Sequence, residues 1–376
     1  MSKKRIILLG ASGSIGRQTL EAIRAFPERF ELVGMQVHRD CAALESLARE
    51  FPRSRLALSA EDVSPASAEA LRGKPGLAEL ISGTEAELVV NGIAGSAGLE
   101  PSLLALNSGK DLALANKESV VMGWALLAAA AAAAGRSIIP VDSEHAALFQ
   151  LIRRVGEVEE ITITASGGAF RDKPLAELAL ATPAQAAAHP NWKMGRKISI
   201  DSASLANKGL EVIEASRLFG FPPERVKVLI HPESLVHALV RARDGSLYAN
   251  MSAPDMRLPI LNALSYPEVL ASAFGRLELG GHSLEFREPD PRRYPLLGLA
   301  YNALADGYGA TVAYNAADEV AVAAFEAGEI GFLDIANVVE KALDESWPRS
   351  LPSLEAVFEA DGRSRRAARA AVKECR

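Results

Sequence analysis

The chain has 376 residues, 49% of them apolar and 23% charged, with a net charge of −6. That balance excludes a disordered chain and a basic nucleic-acid-binding face, and it is enough to bury large cores without cross-links. Cys41 and Cys375 are the only cysteines, which excludes a disulfide framework and a cysteine-based zinc site and suits a reducing, cytoplasmic setting.

In chain order, Arg5–Leu9 reads as an apolar strand and Ile15–Ala25 as a helix. Glu31–Val37 is a second strand, followed by a helix over Cys41–Phe51. Short strands follow around Leu56–Leu58, Leu88–Asn91, Asp111–Ala113 and Ile138–Val141, with helical patterns between them. Strand and helix in alternation predict a parallel sheet covered on both faces. Ser119–Gly135 is uncharged and alanine-rich. It is expected to be a packed helix closed by Gly135 and not a membrane span, because alanine is a good helix former but a weak hydrophobe. The basic start, Met1 to Leu9, is too short in its apolar part for a signal segment.

The middle of the chain differs. Ile161–Ala165, Val226–Ile230, Ala238–Arg243 and Ser246–Ser252 read as strands, with a hairpin turn at Arg243-Asp-Gly-Ser246. One helix is predicted from Ala203 to Phe219, stopped by Gly220. Prolines are spread through Tyr266–Pro295, and the pattern is helical from Leu296 onward. The expected organisation is therefore α/β: a Rossmann-type domain over 1–141, an α+β catalytic domain with its own sheet over 142–266, a linker over 267–295 and a helical domain over 296–376.

Gly10-Ala-Ser-Gly13-Ser-Ile-Gly16 lies between the first strand and the first helix. Such a loop lets the backbone approach a pyrophosphate at a helix N-terminus. At the end of the second strand, Arg39 could hold a ribose 2′-phosphate, favouring NADP, while Asp40 could instead read a bare hydroxyl. Asp142 and Glu144 flank Ser143 at a strand end; in extended chain they would share a face and could hold a hard divalent cation. Asp142 or Ser143 could equally be a helix cap. Asn207, Lys208 and Glu211 lie about one turn apart and would suit a phosphate beside a metal-bound substrate, although a solvated helix face is an equal reading. Asn116-Lys117-Glu118 follows a strand, Ser166-Gly167-Gly168 offers backbone donors, and Trp192 lies in an aperiodic stretch suited to a lid. His231, His237 and His282 are expected to be structural.

Taken together, the blocks resemble the 1-deoxy-D-xylulose 5-phosphate reductoisomerase family. They are Gly10–Gly16, Leu114-Ala-Asn-Lys-Glu-Ser119, Pro140-Val-Asp-Ser-Glu-His145, Thr164-Ala-Ser-Gly-Gly168 and His189-Pro-Asn-Trp192. The set continues with Gly195-Arg-Lys-Ile-Ser-Ile-Asp-Ser202, Asn207-Lys-Gly-Leu-Glu211, Ala253-Pro-Asp-Met-Arg257 and Tyr314-Asn-Ala-Ala-Asp-Glu319.

The resemblance implies NADPH- and metal-dependent conversion of 1-deoxy-D-xylulose 5-phosphate to 2-C-methyl-D-erythritol 4-phosphate, for isoprenoid synthesis. The implied metal ligands for Mn²⁺ or Mg²⁺, with Co²⁺ as a further candidate, are Asp142, Glu144 and Glu211. The implied substrate contacts are Lys117, Ser143, Glu144, Ser166, His189, Trp192, Ser202, Asn207, Lys208 and Glu211, with Lys117 also catalytic. The implied NADPH contacts are Ser12, Gly13, Ser14, Ile15, Asn116, Glu118 and Gly195. His38, Arg39 and Asp40 stand where the family often has a Gly-Lys-Asn type of turn. A V-shaped homodimer is implied, with no nucleic-acid or membrane partner. Two rivals are a metal-dependent sugar-phosphate lyase or hydrolase without redox chemistry, against which the glycine loop counts, and a noncatalytic NADPH sensor, against which the acid cluster counts.

Overall fold

Ile6, Ile7, Leu8 and Leu9 are wholly buried, as expected of a strand covered on both faces, where apolar residues run without alternation. They belong to β1 of a sheet that the computed structural model, which describes residues 2–63, 69–189, 191–192 and 195–375, places at the start of the chain. Its strands are β1 (Lys4–Leu9), β2 (Phe30–Val37), β3 (Arg55–Leu58), β4 (Leu71–Arg72), β5 (Leu88–Asn91), β6 (Asp111–Leu114) and β7 (Ile138–Pro140). The intervening helices are α1 (Ser14–Ala25), α2 (Cys41–Glu50), α3 (Gly73–Gly83), α4 (Leu99–Asn107) and α5 (Lys117–Ala134). All pairings are parallel and the order is β4-β3-β2-β1-β5-β6-β7. The order reverses between β1 and β5, and at that point the carboxyl ends of the strands open a crevice for a ligand.

α5 is long and apolar enough to cross a membrane by length and composition. Val120, Val121, Met122 and Leu127 are nonetheless wholly buried in the protein, the helix kinks at Gly123, and Gly135 closes it in the left-handed conformation (φ 61°). The helix and its Gly135 stop form as expected; its first part is packed, while Ala129, Ala132 and Ala133 of the alanine run are exposed.

The chain continues with α6 (Ser143–Val155), β8 (Val158–Ala165), α7 (Pro183–Ala186), α8 (Arg196–Ser204), α9 (Ala206–Phe219), β9 (Val226–Ile230), β10 (Val236–Ala242), β11 (Leu247–Met251) and α10 (Arg257–Ser265). Four helices close it: α11 (Pro295–Asp306), α12 (Tyr308–Glu326), α13 (Asp334–Leu343) and α14 (Leu354–Cys375). The second sheet has the order β11-β10-β8-β9. The β10–β11 hairpin turns where expected, with Ser246 N–H donating to Asp244 Oδ1 at 2.8 Å.

The single helix expected from Ala203 to Phe219 is two helices. Leu205 interrupts them with a left-handed backbone (φ 58°), a conformation that side chains resist, so nothing in the residue type announces the break.

Two compact units result. One comprises residues 1–119, 125–146 and 255–276; the other comprises 120–124, 147–254 and 277–376. α10, expected to go with the middle of the chain, instead joins the first unit, where Lys4 Nζ donates to Leu264 and Tyr266 carbonyls at 2.8 and 2.6 Å and Arg257 pairs with Glu21 at 3.1 Å. In the second unit the closing helices share a core with α8 and α9, through Ile200, Leu210, Tyr314 and Phe325.

Candidate active site

Each unit carries its own group of candidate residues. In the first, the glycine loop is shaped by two close approaches. Gly10 has φ 76°, and a Cβ there would stand 2.6 Å from the Gly92 carbonyl oxygen; a Cβ on Gly16 would strike the Gly10 carbonyl. Gln36 braces the turn, accepting Gly10 N–H on Oε1 and Ala11 N–H on its backbone oxygen, both at 2.9 Å. Gly13 and Ser14 are exposed, Ser12 and Ile15 half-buried, and α1 begins with neither a side-chain cap nor an acid in its first turn. The positive end of the helix is thus left to an anion.

His38, Arg39 and Asp40 are all exposed at the end of β2. They differ in what holds them. His38 Nδ1 lies 3.0 Å from Ser59 Oγ, Arg39 pairs with Asp62 at 2.5 Å, and Asp40 caps α2 by accepting Ala43 N–H at 2.9 Å. The carboxylate that could have read a ribose hydroxyl is committed to a helix.

Asn116 caps α5 in the same way and is buried. Its Oδ1 accepts Ser119 N–H, while Nδ2 donates to the Ile93 and Gly95 carbonyls and to Glu118 Oε2, at 2.8 to 2.9 Å. Glu118 also accepts Gly95 N–H at 3.2 Å. Asn116 and Glu118 therefore fix the loop after β5. Next to them the buried Lys117 pairs with Asp142 at 2.8 Å.

The chain does not stay extended through Asp142–Glu144. It turns into α6 at Ser143, the Asp142 carbonyl accepts Ala146 N–H, and Glu144 stands in the first helical turn with its Oε2 taking the Ser143 hydroxyl at 2.6 Å. Asp142 and Glu144 still bring carboxylate oxygens within 4.8 Å of each other, by a turn instead of the shared strand face expected. The cap reading and the convergence reading are both true of this segment.

In the second unit, Ser166 follows β8 and meets His189 across 2.8 Å. His189 Nδ1 accepts the N–H groups of Asn191 and Trp192, at 3.2 and 2.9 Å. The ring proton therefore sits on Nε2 and is donated to Ser166 Oγ, which also accepts Gly168 N–H at 3.1 Å. With two donors on its oxygen, the Ser166 hydroxyl is left to donate outward, as a phosphate requires. Burial, and secondarily Arg171, depresses His189 to about 4, so the neutral imidazole is the form present at neutral pH.

Gly195 caps α8, and Ser202 donates back to Ile198 C=O at 2.8 Å. On α9, Glu211 is almost wholly buried, and each of its oxygens has its own donor: Asn207 Nδ2 on Oε1 and Lys208 Nζ on Oε2. A carboxylate held by an amide and an ammonium is oriented as well as neutralised.

Three sequence-family profiles match the chain. Those described as 1-deoxy-D-xylulose 5-phosphate reductoisomerase, its C-terminal domain, and the DXP reductoisomerase C-terminal domain cover residues 6–123, 138–219 and 251–367. The 1-deoxy-D-xylulose 5-phosphate reductoisomerase of Treponema denticola is 44% identical over 375 residues, covering 99% of this chain and 98% of its own. The chain belongs to the 1-deoxy-D-xylulose 5-phosphate reductoisomerase family. A solved reductoisomerase in complex with NADPH, fosmidomycin and magnesium superposes with a TM-score of 0.92 at 37% identity, covering 98% of both chains. The reductoisomerase from Zymomonas mobilis in complex with NADPH gives 0.91 at 38% identity, covering 99% of this chain and all of that one.

For a reductoisomerase, several partners of the site went unseen in the sequence. His237, expected to be structural, meets the Trp192 ring edge-on at 6.3 Å and Ser252 Oγ at 2.9 Å; burial depresses it to about 4. Asn191 ties the stretch beside Trp192 to the Pro232 carbonyl and Ser234 Oγ, at 2.6 and 2.8 Å. His231 is structural as expected, stacked on Phe286 and bonded to the Glu285 carbonyl, whereas His282 is exposed. The only signal for Asn191 was its place inside the His189–Trp192 block; His237 had none.

Proposed function

We infer that this protein converts 1-deoxy-D-xylulose 5-phosphate to 2-C-methyl-D-erythritol 4-phosphate, using NADPH and a divalent cation, in the non-mevalonate route to isoprenoid precursors. The observation that carries this is identity of 44% to a reductoisomerase across 99% of the chain. Local geometry supports it. The uncapped start of α1 behind Gly13 fits a pyrophosphate, and Asp142 with Glu144 forms a hard oxygen pair suited to Mg²⁺ or Mn²⁺.

On this reading Asp142, Glu144 and Glu211 hold the cation. Ser12, Gly13, Ser14 and Ile15 hold the pyrophosphate side of NADPH, and Arg39, with His38, faces its 2′-phosphate. Asn116, Glu118 and Gly195 shape the nicotinamide end. When bound, the cation supplies Lewis-acid stabilisation while a carbon–carbon bond breaks and re-forms, and the nicotinamide supplies the hydride.

The chain's own residues do the rest. Ser166, Ser202, Asn207 and Lys208 bind the phosphate, and Ser143 orients the substrate hydroxyls. Lys117 Nζ holds a proton beside a reacting oxygen. Neutral His189 keeps the Ser166 hydroxyl pointed at its acceptor. Closure of the stretch bearing Trp192 excludes water while the substrate is in two pieces. Functionally the chain then divides into a cofactor stretch (1–141), a catalytic stretch (142–266), a linker (267–295) and a helical buttress (296–376).

We further propose a homodimer in the cytoplasm. Support comes from β11, an edge strand with exposed Leu247 and Tyr248, and from two free cysteines. The test of the whole reading is NADPH absorbance with the ketose phosphate and Mn²⁺. Oxidation that requires all three components is expected. Consumption of the ketose without NADPH oxidation would leave a metal-dependent lyase, and NADPH binding without turnover would leave a sensor.

A further inference from the structure

α8 begins at Arg196, one residue before Lys197, and it bears Ser202 in its last turn. Two cation–carboxylate contacts reach from its first turn to α12. Arg196 meets Glu326 at 2.9 Å on the surface. Lys197 Nζ lies 2.6 Å from Asp318 and also 2.6 Å from Asp201, one turn further along its own helix. Asp201 and Asp318 are 2% and 0% exposed, so one ammonium serves two buried carboxyl groups.

The surface pair contributes little, because both partners are screened and the arginine is mostly exposed. The buried contact is different. A charge-assisted hydrogen bond removed from water is stronger and more directional. Lys197 and Asp201 share α8, so their contact orients the ammonium. The contact that crosses to another helix is Lys197–Asp318. Burial raises the Asp318 carboxyl above its ordinary range, against the pull of Lys197, and among the described residues its Oδ1 is buried with no hydrogen-bond partner. An amide of the same shape should therefore replace this side chain at little cost.

We propose that the Lys197–Asp318 contact is a latch that positions α8 for phosphate binding: Lys197 is a positioning residue, fixing the helix that carries Ser202 against α12. The proposal rests on the reading that Ser202 takes the substrate phosphate. Nothing in the latch touches the reacting atoms, so its loss should appear in substrate affinity and not in the chemical step.

Asp318→Ala cuts the crossing bond and leaves the Lys197–Asp201 pair intact, so no charge is stranded. In the holoenzyme it should raise KM for the ketose phosphate by roughly tenfold, the scale of one charge-assisted hydrogen bond. It should weaken competitive inhibition by inorganic phosphate in the same proportion, with kcat within about twofold and NADPH binding, read by fluorescence titration, unchanged. Asp318→Asn keeps an acceptor for Lys197 and should restore KM.

An unchanged KM in Asp318→Ala overturns the latch. So does a variant in which KM, kcat and NADPH affinity all deteriorate together, which is the mark of a loosened core, or a KM that Asp318→Asn fails to restore. Ser202→Ala, measured alongside, separates the foundations. If it leaves KM and phosphate inhibition unaltered, the phosphate is not held on α8 and the latch has nothing to position. If it raises KM while Asp318→Ala does not, only the latch falls.

Discussion

Arg39 carries the choice of cofactor because its neighbour Asp40 accepts Ala43 N–H and is committed to starting α2. Arg39 is paired with Asp62, but both are more than half exposed, and an exposed pair of this kind yields easily to a phosphate. NADPH should be preferred to NADH by at least about tenfold in kcat/KM, or about 1.4 kcal/mol, and Arg39→Ala should narrow that ratio. A ratio unmoved by the substitution would place the 2′-phosphate elsewhere. The carboxylates admit an equally direct test. Asp142→Asn, Glu144→Gln and Glu211→Gln each keep shape and remove one charge. Each should lower kcat by at least about a hundredfold, the scale of losing one preorganised electrostatic contact, while NADPH titrates normally. Raising Mn²⁺ should partly restore at least one of them by mass action. Near-normal turnover of any one in chelator-treated buffer removes that residue from the metal set.

His189, Asn191 and Trp192 lie in no helix or strand and are held by side-chain contacts. Asn191 bonds to Pro232 and Ser234, and the Trp192 ring rests on His237. Trp192→Ala should therefore raise KM and lower kcat while costing far less stability than the roughly 3–5 kcal/mol of a core Trp→Ala change. A fall in melting temperature of core size would make it a structural anchor. This contrast also marks how far the sequence could be read. The apolar run of β1, the glycine loop before α1, the Gly135 helix stop and the Asp-Gly hairpin were all legible, because each is a local signal with a local cause. The break at Leu205 was not, since no glycine or proline stands there and the left-handed residue is a buried leucine. At Asp142–Glu144 the residues alone left extended chain and a helix cap both open, because a cap and a carboxylate pair use the same residues, and the chain takes the cap. Lys197 and Asp318 lie 121 positions apart, and no periodicity links residues that meet only through tertiary packing.

At the scale of the whole molecule, the buried imidazoles tie stability to pH. His189 and His237 are both depressed to about 4 by burial, from an unfolded value near 6.5. Between those values the unfolded chain binds more protons than the folded one, so stability rises with pH across that window and falls as pH drops from 6.5 towards 4. Buried Asp318 acts in the opposite sense, because its raised folded value makes the native state the better proton binder just above 3.8. The net acid profile is therefore a sum of opposed terms, and a difference between variants isolates one of them. His237→Gln keeps a polar group near Ser252 Oγ, which His237 Nε2 now meets at 2.9 Å, and removes a titrating ring. The loss of stability between pH 7 and pH 4.5, read from urea midpoints, should be smaller in this variant than in the parent protein, whatever its stability at pH 7. An equal loss in both would mean that His237 titrates alike folded and unfolded, and that its burial is relieved by water in solution.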